Sequence, residues 1–216
     1  ETGATSTFTI KLKSLPTANV NIAVSSNDTS EGIVDVSLLT FATSDWSIPQ
    51  TITITGQDDS FQDGDQTYQI ILGVSSSADA NYNGIDPTDI LIQNIDDDSI
   101  GITVSTISND VNESGTTATA TIFLTSQPTD DVIIGLSSDD TTEGTIDISS
   151  MTFTSSDWAT PQTVTLTGAD DAVQDGNQTF KIITSSVIST DSNYNGLNPD
   201  DVNVKNNDDD SPGIFL

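Results

Sequence analysis

The chain has no cysteine and no histidine, and only four of its 216 residues, Lys11, Lys13, Lys181 and Lys205, are basic. Each absence closes a class of chemistry. Without thiol or imidazole there is no disulfide, no zinc or iron–sulfur centre and no Ser-His-Asp or Cys-His nucleophile. So few cations offer no basic face to phosphates, which excludes direct binding to nucleic acid or anionic lipid unless metal ions bridge. No apolar run of about 18 residues exists, so nothing reads as a membrane-spanning helix. The opening Glu1-Thr2-Gly3 is neither an initiator methionine nor a signal peptide, and the chain reads as a piece of something longer.

What is abundant is carboxylate: 33 Asp and Glu against 4 Lys and Arg give a formal charge of −29. Low apolar content with high net charge leans toward disorder. Yet charged residues make up only 17% of the chain, below the ~25% of ordinary domains, so the acidity comes from missing cations on a surface of Ser, Thr and Asn.

A shift of 112 positions aligns the sequence with itself without a gap. Glu1 meets Glu113, Trp46 meets Trp158, Asp58-Asp59 meets Asp170-Asp171, and Asp96 to Asp98 meets Asp208 to Asp210. The period is too long for a solenoid unit and suits one β-sandwich domain. Residues 1–99 read as a first repeat that lacks its first strand, 100–211 as a second, and 212–216 as the start of the first strand of a third, since Gly213-Ile214-Phe215-Leu216 aligns with Gly101-Ile102-Thr103-Val104.

Within a repeat, apolar residues alternate with Ser and Thr at period two: Phe8, Ile10, Leu12; Val20, Ile22, Val24; Val34, Val36, Leu38; Ile52, Ile54; Tyr68, Ile70, Leu72; Ile90, Ile92. That period predicts half-buried antiparallel strands. With Gly101 to Ser108 leading the second repeat, a full unit has seven strands. The predicted fold is all-β, two tandem immunoglobulin-like antiparallel sandwiches.

Strand parity then sorts the loops. If successive strands run antiparallel, one end of each unit receives Glu1, the loop Asn27 to Glu31, the loop Asp58 to Gln66 and the exit Asp96 to Asp98, which are the acidic segments. Gathered carboxylates repel one another unless neutralised. Calcium accepts about 6–8 oxygens from Asp, Glu, amide and backbone groups with flexible geometry, whereas magnesium demands an octahedron and retained waters. Calcium is therefore the expected ion, against the alternative of a solvated acidic surface. Because Asp96 to Asp98 leads into the second repeat, each cluster is expected at a junction between repeats.

These motifs resemble the Calx-beta domain: Glu-x-Gly at Glu1 and Glu113, Asp28 and Asp140 after the following strand, Asp-Asp-x-x-x-Asp-Gly at Asp58 and Asp170, and the closing Asp triads. The resemblance implies calcium ligands at Glu1, Asp28, Asp58, Asp59, Asp63, Asp96, Asp97 and Asp98, with the Phe61 carbonyl. In the second repeat it implies Glu113, Asp140, Asp170, Asp171, Asp175, Asp208, Asp209 and Asp210. The family usually has Glu where Gln66 and Gln178 stand, which implies fewer or weaker ions than in exchanger sensors. Thr154 to Trp158 followed by Pro161 to Thr165 looks closer to the repeats of bacterial surface adhesins.

A second candidate metal set, Asp79, Asn81, Asn83 with Asp191, Asn193, Asn195, has EF-hand-like spacing but no closing Glu, and reads more readily as an Asx turn before an Asn-Gly pair. Trp46 and Trp158 read as plugs at the end of the core rather than sugar platforms. The sequons at Asn27, Asn112 and Asn177 arise readily by chance in so Asn- and Ser/Thr-rich a chain. A carboxylate pair for glycoside hydrolysis is the weaker reading of the same acids. The expectation is therefore a non-enzymatic, calcium-binding structural repeat of a long extracellular, cell-surface adhesin or filament. Its partners are neighbouring repeats of the same chain, with other copies or a surface glycan open as further ones. A regulatory calcium-sensor pair and a carbohydrate-binding module are the alternatives.

Overall fold

The computed structural model describes residues 1–214. Phe215 and Leu216, the end of the segment expected to open a third repeat, lie outside the described residues. The chain forms two compact units, Glu1–Asp97 and Asp98–Leu216. Among the described residues no helix is long and apolar enough to cross a membrane.

Unit 1 is built from β1 (Thr5–Ile10), β2 (Val20–Ser26), β3 (Gly32–Val34), β4 (Leu38–Phe41), β5 (Gln50–Gly56), β6 (Gln66–Leu72), β7 (Ser76–Ser77) and β8 (Ile90–Asn94). They form two antiparallel sheets, β1-β5-β3 and β4-β2-β6-β8, with β7 on β2. The inward residues Val20, Ile22, Leu39, Phe41, Ile52, Ile54, Ile70 and Leu72 make one core between the sheets. Each such side chain contributes ~1.5–3 kcal/mol by leaving water. The period-two pattern thus does what it predicts, and each unit is an antiparallel β-sandwich.

Unit 2 repeats the plan with β9 (Ile102–Val104), β10 (Val111–Asn112), β11 (Thr117–Leu124), β12 (Val132–Ser138), β13 (Gly144–Ile146), β14 (Ser150–Phe153), β15 (Gln162–Gly168), β16 (Gln178–Thr184) and β17 (Val202–Asn207). Its sheets are β13-β15-β11-β9 and β10-β17-β16-β12-β14. All pairings are antiparallel except β10 on β17, which is parallel. The leading segment therefore begins in one sheet and ends in the other.

A second sheet change falls where one continuous strand, Val34 to Leu38, was expected. β3 pairs with β5, whereas β4 pairs with β2. The crossing residue Asp35 is pinned to β5 by its own N–H on Thr53 O (3.0 Å) and by Thr53 N–H on its carboxylate (2.8 Å). The crossing resets the alternation, so Leu38 is 56% exposed while Leu39 and Phe41 are buried. Asp147 and Thr165 repeat the device in unit 2.

Trp46 and Trp158 are partly buried and pack against the cores. Near them the phenol of Tyr82 donates to Ser14 O (2.6 Å), and that of Tyr194 to Ser126 O (2.7 Å), tying the loop before β8 or β17 to the end of β1 or β11.

Candidate metal centre

The β5–β6 loop is shaped by its own acids. Asp59 Oδ1 accepts the N–H of Phe61 (2.7 Å), and Asp63 N–H donates to Phe61 O (3.0 Å), which leaves that carbonyl one lone pair. Gly64 then takes φ 81°, a region glycine enters without steric cost, and aims its N–H at Asp96 Oδ2 (2.6 Å). In unit 2 Asp171 accepts from Val173 (2.6 Å), and Gly176, at φ 79°, donates to Asp208 Oδ2 (2.8 Å). Gln66 and Gln178 turn their amides back onto the carbonyls of Asp63 and Asp175, at 3.1 and 3.3 Å.

These loops bring acids from distant parts of the sequence together. One oxygen each from Glu1, Asp96 and Asp98 lies within 4.8 Å of the others, as do oxygens of Glu1, Asp58 and Asp97. In unit 2 the same holds for Glu113, Asp208 and Asp210, and for Glu143, Asp171 and Asp175. Two oxygens each about 2.3–2.6 Å from one ion stand at most about 5 Å apart, so these spacings suit a shared cation of calcium's size.

The electrostatics are unusual for carboxylates. Glu1 is only 6% exposed, and neither of its carboxylate oxygens has a hydrogen-bond partner. Burial, then the charges of Asp59, Asp96 and Asp63, push it up to about 7 from an ordinary 4.5. Its amino group donates to Ile95 O and pairs with Asp97 at 3.4 Å. Burial raises Glu113 as well, followed by Asp208, Asp171 and Asp210, partly offset by the N–H of Asp209 on its Oε2 (3.3 Å). Asp210 is raised by burial and then by Asp208, and its Oδ2 is buried without a partner. Buried oxygens aimed into a group of like charges need a cation or protons. The donor set is all oxygen, which suits a hard ion.

Other acids stand differently. Asp28 and Asp140 belong to no group of three among the described residues. Each closes an Asx turn, accepting from the hydroxyl and N–H of Ser30 or Thr142, and those bonds hold both carboxyls below the ordinary value. Asp170 and Asp209 also join no such group, nor do Asp59 and Asp63, although both charges act on Glu1.

Glu143 was not among the expected ligands, nor was its counterpart Glu31. Both sit one residue before a glycine at which any Cβ would collide with the Phe180 or Tyr68 ring. Each is oriented by an equally unanticipated asparagine: Asn94 Nδ2 donates to Glu31 Oε2 (3.2 Å) and Gln57 O (2.8 Å), Asn206 Nδ2 to Glu143 Oε2 (3.4 Å) and Ala169 O (3.0 Å). The available signal was recurrence of Glu31 and Asn94 at the repeat period.

The second candidate set lies in the loop before β8 and before β17. Asp79 accepts the N–H groups of Thr17 (2.8 Å) and Asn81 (2.9 Å), which lower its carboxyl, and Asn83 Oδ1 accepts from Ser77 (3.2 Å). Asp191 accepts the N–H groups of Thr129 (2.8 Å) and Asn193 (2.8 Å), and Asn195 Oδ1 that of Ser189 (3.3 Å). Gly84 and Gly196 follow at positive φ, so both stretches are built as Asx turns.

No known family profile and no curated protein matches the chain. Among solved structures it is similar to the calcium-binding domain CBD12 of CALX1.1, with 14% identity, a TM-score of 0.41 and coverage of 85% of this chain and 73% of that one. It is similar to CBD12 from CALX1.2 at 14% identity and TM-score 0.36, over 86% and 74% of the two chains. Domains 4 and 5 of the S-layer protein SbsC follow at 12% identity and TM-score 0.34, over 87% and 75%.

Proposed function

We propose that the two units are calcium-binding structural repeats of a long extracellular surface protein, an adhesin or a filament, with calcium at the junction that follows each unit. The observation that carries this reading is Glu1, whose two buried, unpartnered carboxylate oxygens face a ring of further acids. A surface kept acidic only for solubility would leave such groups in water. Glu113 and Asp210, at matching places in unit 2, support the same reading.

Glu1, Asp58, Asp96, Asp97 and Asp98 would hold the ion of unit 1, and Glu113, Asp208 and Asp210 with Glu143, Asp171 and Asp175 that of unit 2. Bound calcium supplies the positive charge that lets these carboxylates stay ionised together. The chain's residues do the positioning: Gly64 and Gly176 fix the first Asp of each triad, and Asn94 and Asn206 fix Glu31 and Glu143. Since the triads follow β8 and β17, the ion would tie the exit of each unit to its entry and stiffen the linker. Ordered linkers of this kind make a rod out of an array. Affinity separates this reading from a sensor, because modules outside cells bind calcium at about 10⁻⁴–10⁻³ M and sensors near micromolar.

Isothermal titration with calcium, followed by calorimetry and small-angle scattering in calcium and in EDTA, tests the reading. Saturable binding, a higher melting temperature and an extended, rigid particle in calcium are expected. Identical melting in calcium and EDTA would sink it, and micromolar affinity would favour a sensor.

A further inference from the structure

The repeats part company on the outer face of one sheet. In unit 1 the outward residues of β4-β2-β6-β8 include Leu38, Ala23, Ile71 and Leu91, one on each strand. Ala23 stands opposite Leu38, Ile71 opposite Ser25, and Leu91 opposite Gln69. That register sets the four apolar side chains in a diagonal stripe across the sheet, with Leu38 56% and Leu91 68% exposed. The other outward residues are Asn21, Ser25, Thr40, Thr67, Gln69 and Gln93, so these strands present no charge in a chain of −29. Acids stand at the rim: Asp65 Oδ2 accepts from Gln93 Nε2 (3.3 Å), and Asp89 Oδ1 from the N–H of Leu72 (2.8 Å).

The matching face of unit 2 has the opposite character. Ser150, Gly135 and Asn203 replace Leu38, Ala23 and Leu91, while Lys181 and Lys205 replace Gln69 and Gln93. The pairs Lys181↔Asn203 and Thr179↔Lys205 place both lysines, half of the chain's cations, on this one face. Lys205 meets Asp110 at 3.7 Å, and Lys181 makes no ion pair among the described residues. Ile183 stays at the centre, and Ile133 and Ile188, bonded to each other, are 38% and 69% exposed. Segment 100–112, which carries β9 and β10, joins unit 2 at its sheet edges with Val111 in the core, and leaves Ser150, Lys181 and Asn203 exposed. The openness of this face is therefore a property of the sandwich with that segment in place.

We infer that the two faces are complementary, and that the outer face of unit 1 docks on that of unit 2 in a second copy of this chain. The isoleucines take the stripe from Leu38 to Leu91 out of water, and the lysines come to the rim acids Asp65 and Asp89. A second copy is the occupant because this chain carries both halves of the contact. Two unit 1 faces brought together would set rim acid against rim acid. Each copy offers one face of each kind, so the contact is heterologous and can pass from copy to copy. Four strands about 4.8 Å apart and about 17 Å long make a face of roughly 300 Å², well under the roughly 800 Å² per partner of a stable complex. One contact is therefore weak, and strength comes from many repeats engaging at once. None of the candidate calcium ligands takes part.

Sedimentation equilibrium of the 216-residue chain over rising concentration tests it. Reversible association with a Kd below about 1 mM is expected, the scale of so small a contact. Two double variants borrow residues from the other repeat, which the fold accepts at those places. Leu38→Ser with Leu91→Asn should weaken association at least about tenfold by removing buried apolar area. Lys181→Gln with Lys205→Gln should weaken it about threefold or more, by removing the complementary charge. A mixture of the two should regain wild-type affinity as a one-to-one pair, because one variant keeps its unit 2 face and the other its unit 1 face. A chain that stays monomeric up to about 1 mM, association unmoved by either double variant, or a mixture no tighter than its parts would each overturn the inference.

Discussion

Strands β1 and β11 hold the same place in their units, yet they meet different surroundings. In β11 Ala118, Ala120, Ile122 and the following Leu124 are all buried, whereas Ser6 of β1 is exposed and Phe8 and Ile10 remain partly exposed. The contrast recurs on the other sheet, where Val202 and Val204 are buried and Ile90 and Ile92 half-buried. It reaches the far end as well, where Tyr194 is fully buried and Tyr82 is not. Apart from Ser6 in the place of Ala118, the residues of unit 1 are no less apolar at these places, so the strands' own sequences do not account for the rest of the difference. Segment 100–112 does. A unit of this fold is therefore completed by a segment that precedes its own acidic entry residue.

The largest effect is expected from breaking that segment. Val111→Asp puts an unpaired charge into the core of unit 2 and should cost it ~3–5 kcal/mol. Calorimetry should then show the transition of unit 2 moved well below its wild-type temperature while that of unit 1 stays in place. Calcium removal comes next: at a hundredfold excess over Kd the ion contributes ~3 kcal/mol, which EDTA should take from both units. Asp208→Asn with Asp210→Asn should take it from unit 2 alone, as seen by titration stoichiometry.

A smaller and symmetric change tests whether the cores are otherwise alike. Gly32→Ala and Gly144→Ala drive a methyl into the rings of Tyr68 and Phe180, and each should cost ~1–3 kcal/mol in its own unit by chemical denaturation.

The smallest effect is on pH. Glu1 titrates near 7 in the folded chain and at 4.5 ordinarily, so folding favours its protonated form. In EDTA its contribution to stability is fully present below about 4.5 and is lost as pH rises through about 7. Glu113, raised in the same direction, should add to the trend in unit 2. Melting temperature in EDTA should therefore rise as pH falls from neutrality toward 5, where Asp28, Asp79 and Asp140, all lowered, stay ionised. Glu1→Gln should flatten the trend for unit 1, and an unchanged slope would break the link to this residue.

Much of the sandwich was legible in the sequence because a buried face imposes a period of two on Ile22, Ile52 and Ile70, and because strand parity assigns loops to ends. The sheet crossing at Asp35 was not. Val34, Val36 and Leu38 continue the alternation on paper, and only the Thr53 pairing shows the chain leaving one sheet for the other. Sequence could gather the acids at one end but not rank them. Asp28 and Asp59 look alike in one dimension, and each accepts the N–H two residues on, but the charge of Asp59 acts on Glu1. Glu31 and Glu143 were passed over for the same reason, since their role depends on the Asn94 and Asn206 side chains reaching across from the last strand.

The parallel pairing of β10 with β17 has a mechanical consequence. The second and last strands of unit 2 lie side by side and point the same way, so a tension applied along the chain on either side of them pulls them past each other lengthwise. Their hydrogen bonds are loaded together rather than opened one after another. Such a clamp resists extension far better than a hairpin peeled from its tip, and it needs no covalent crosslink in a chain without cysteine.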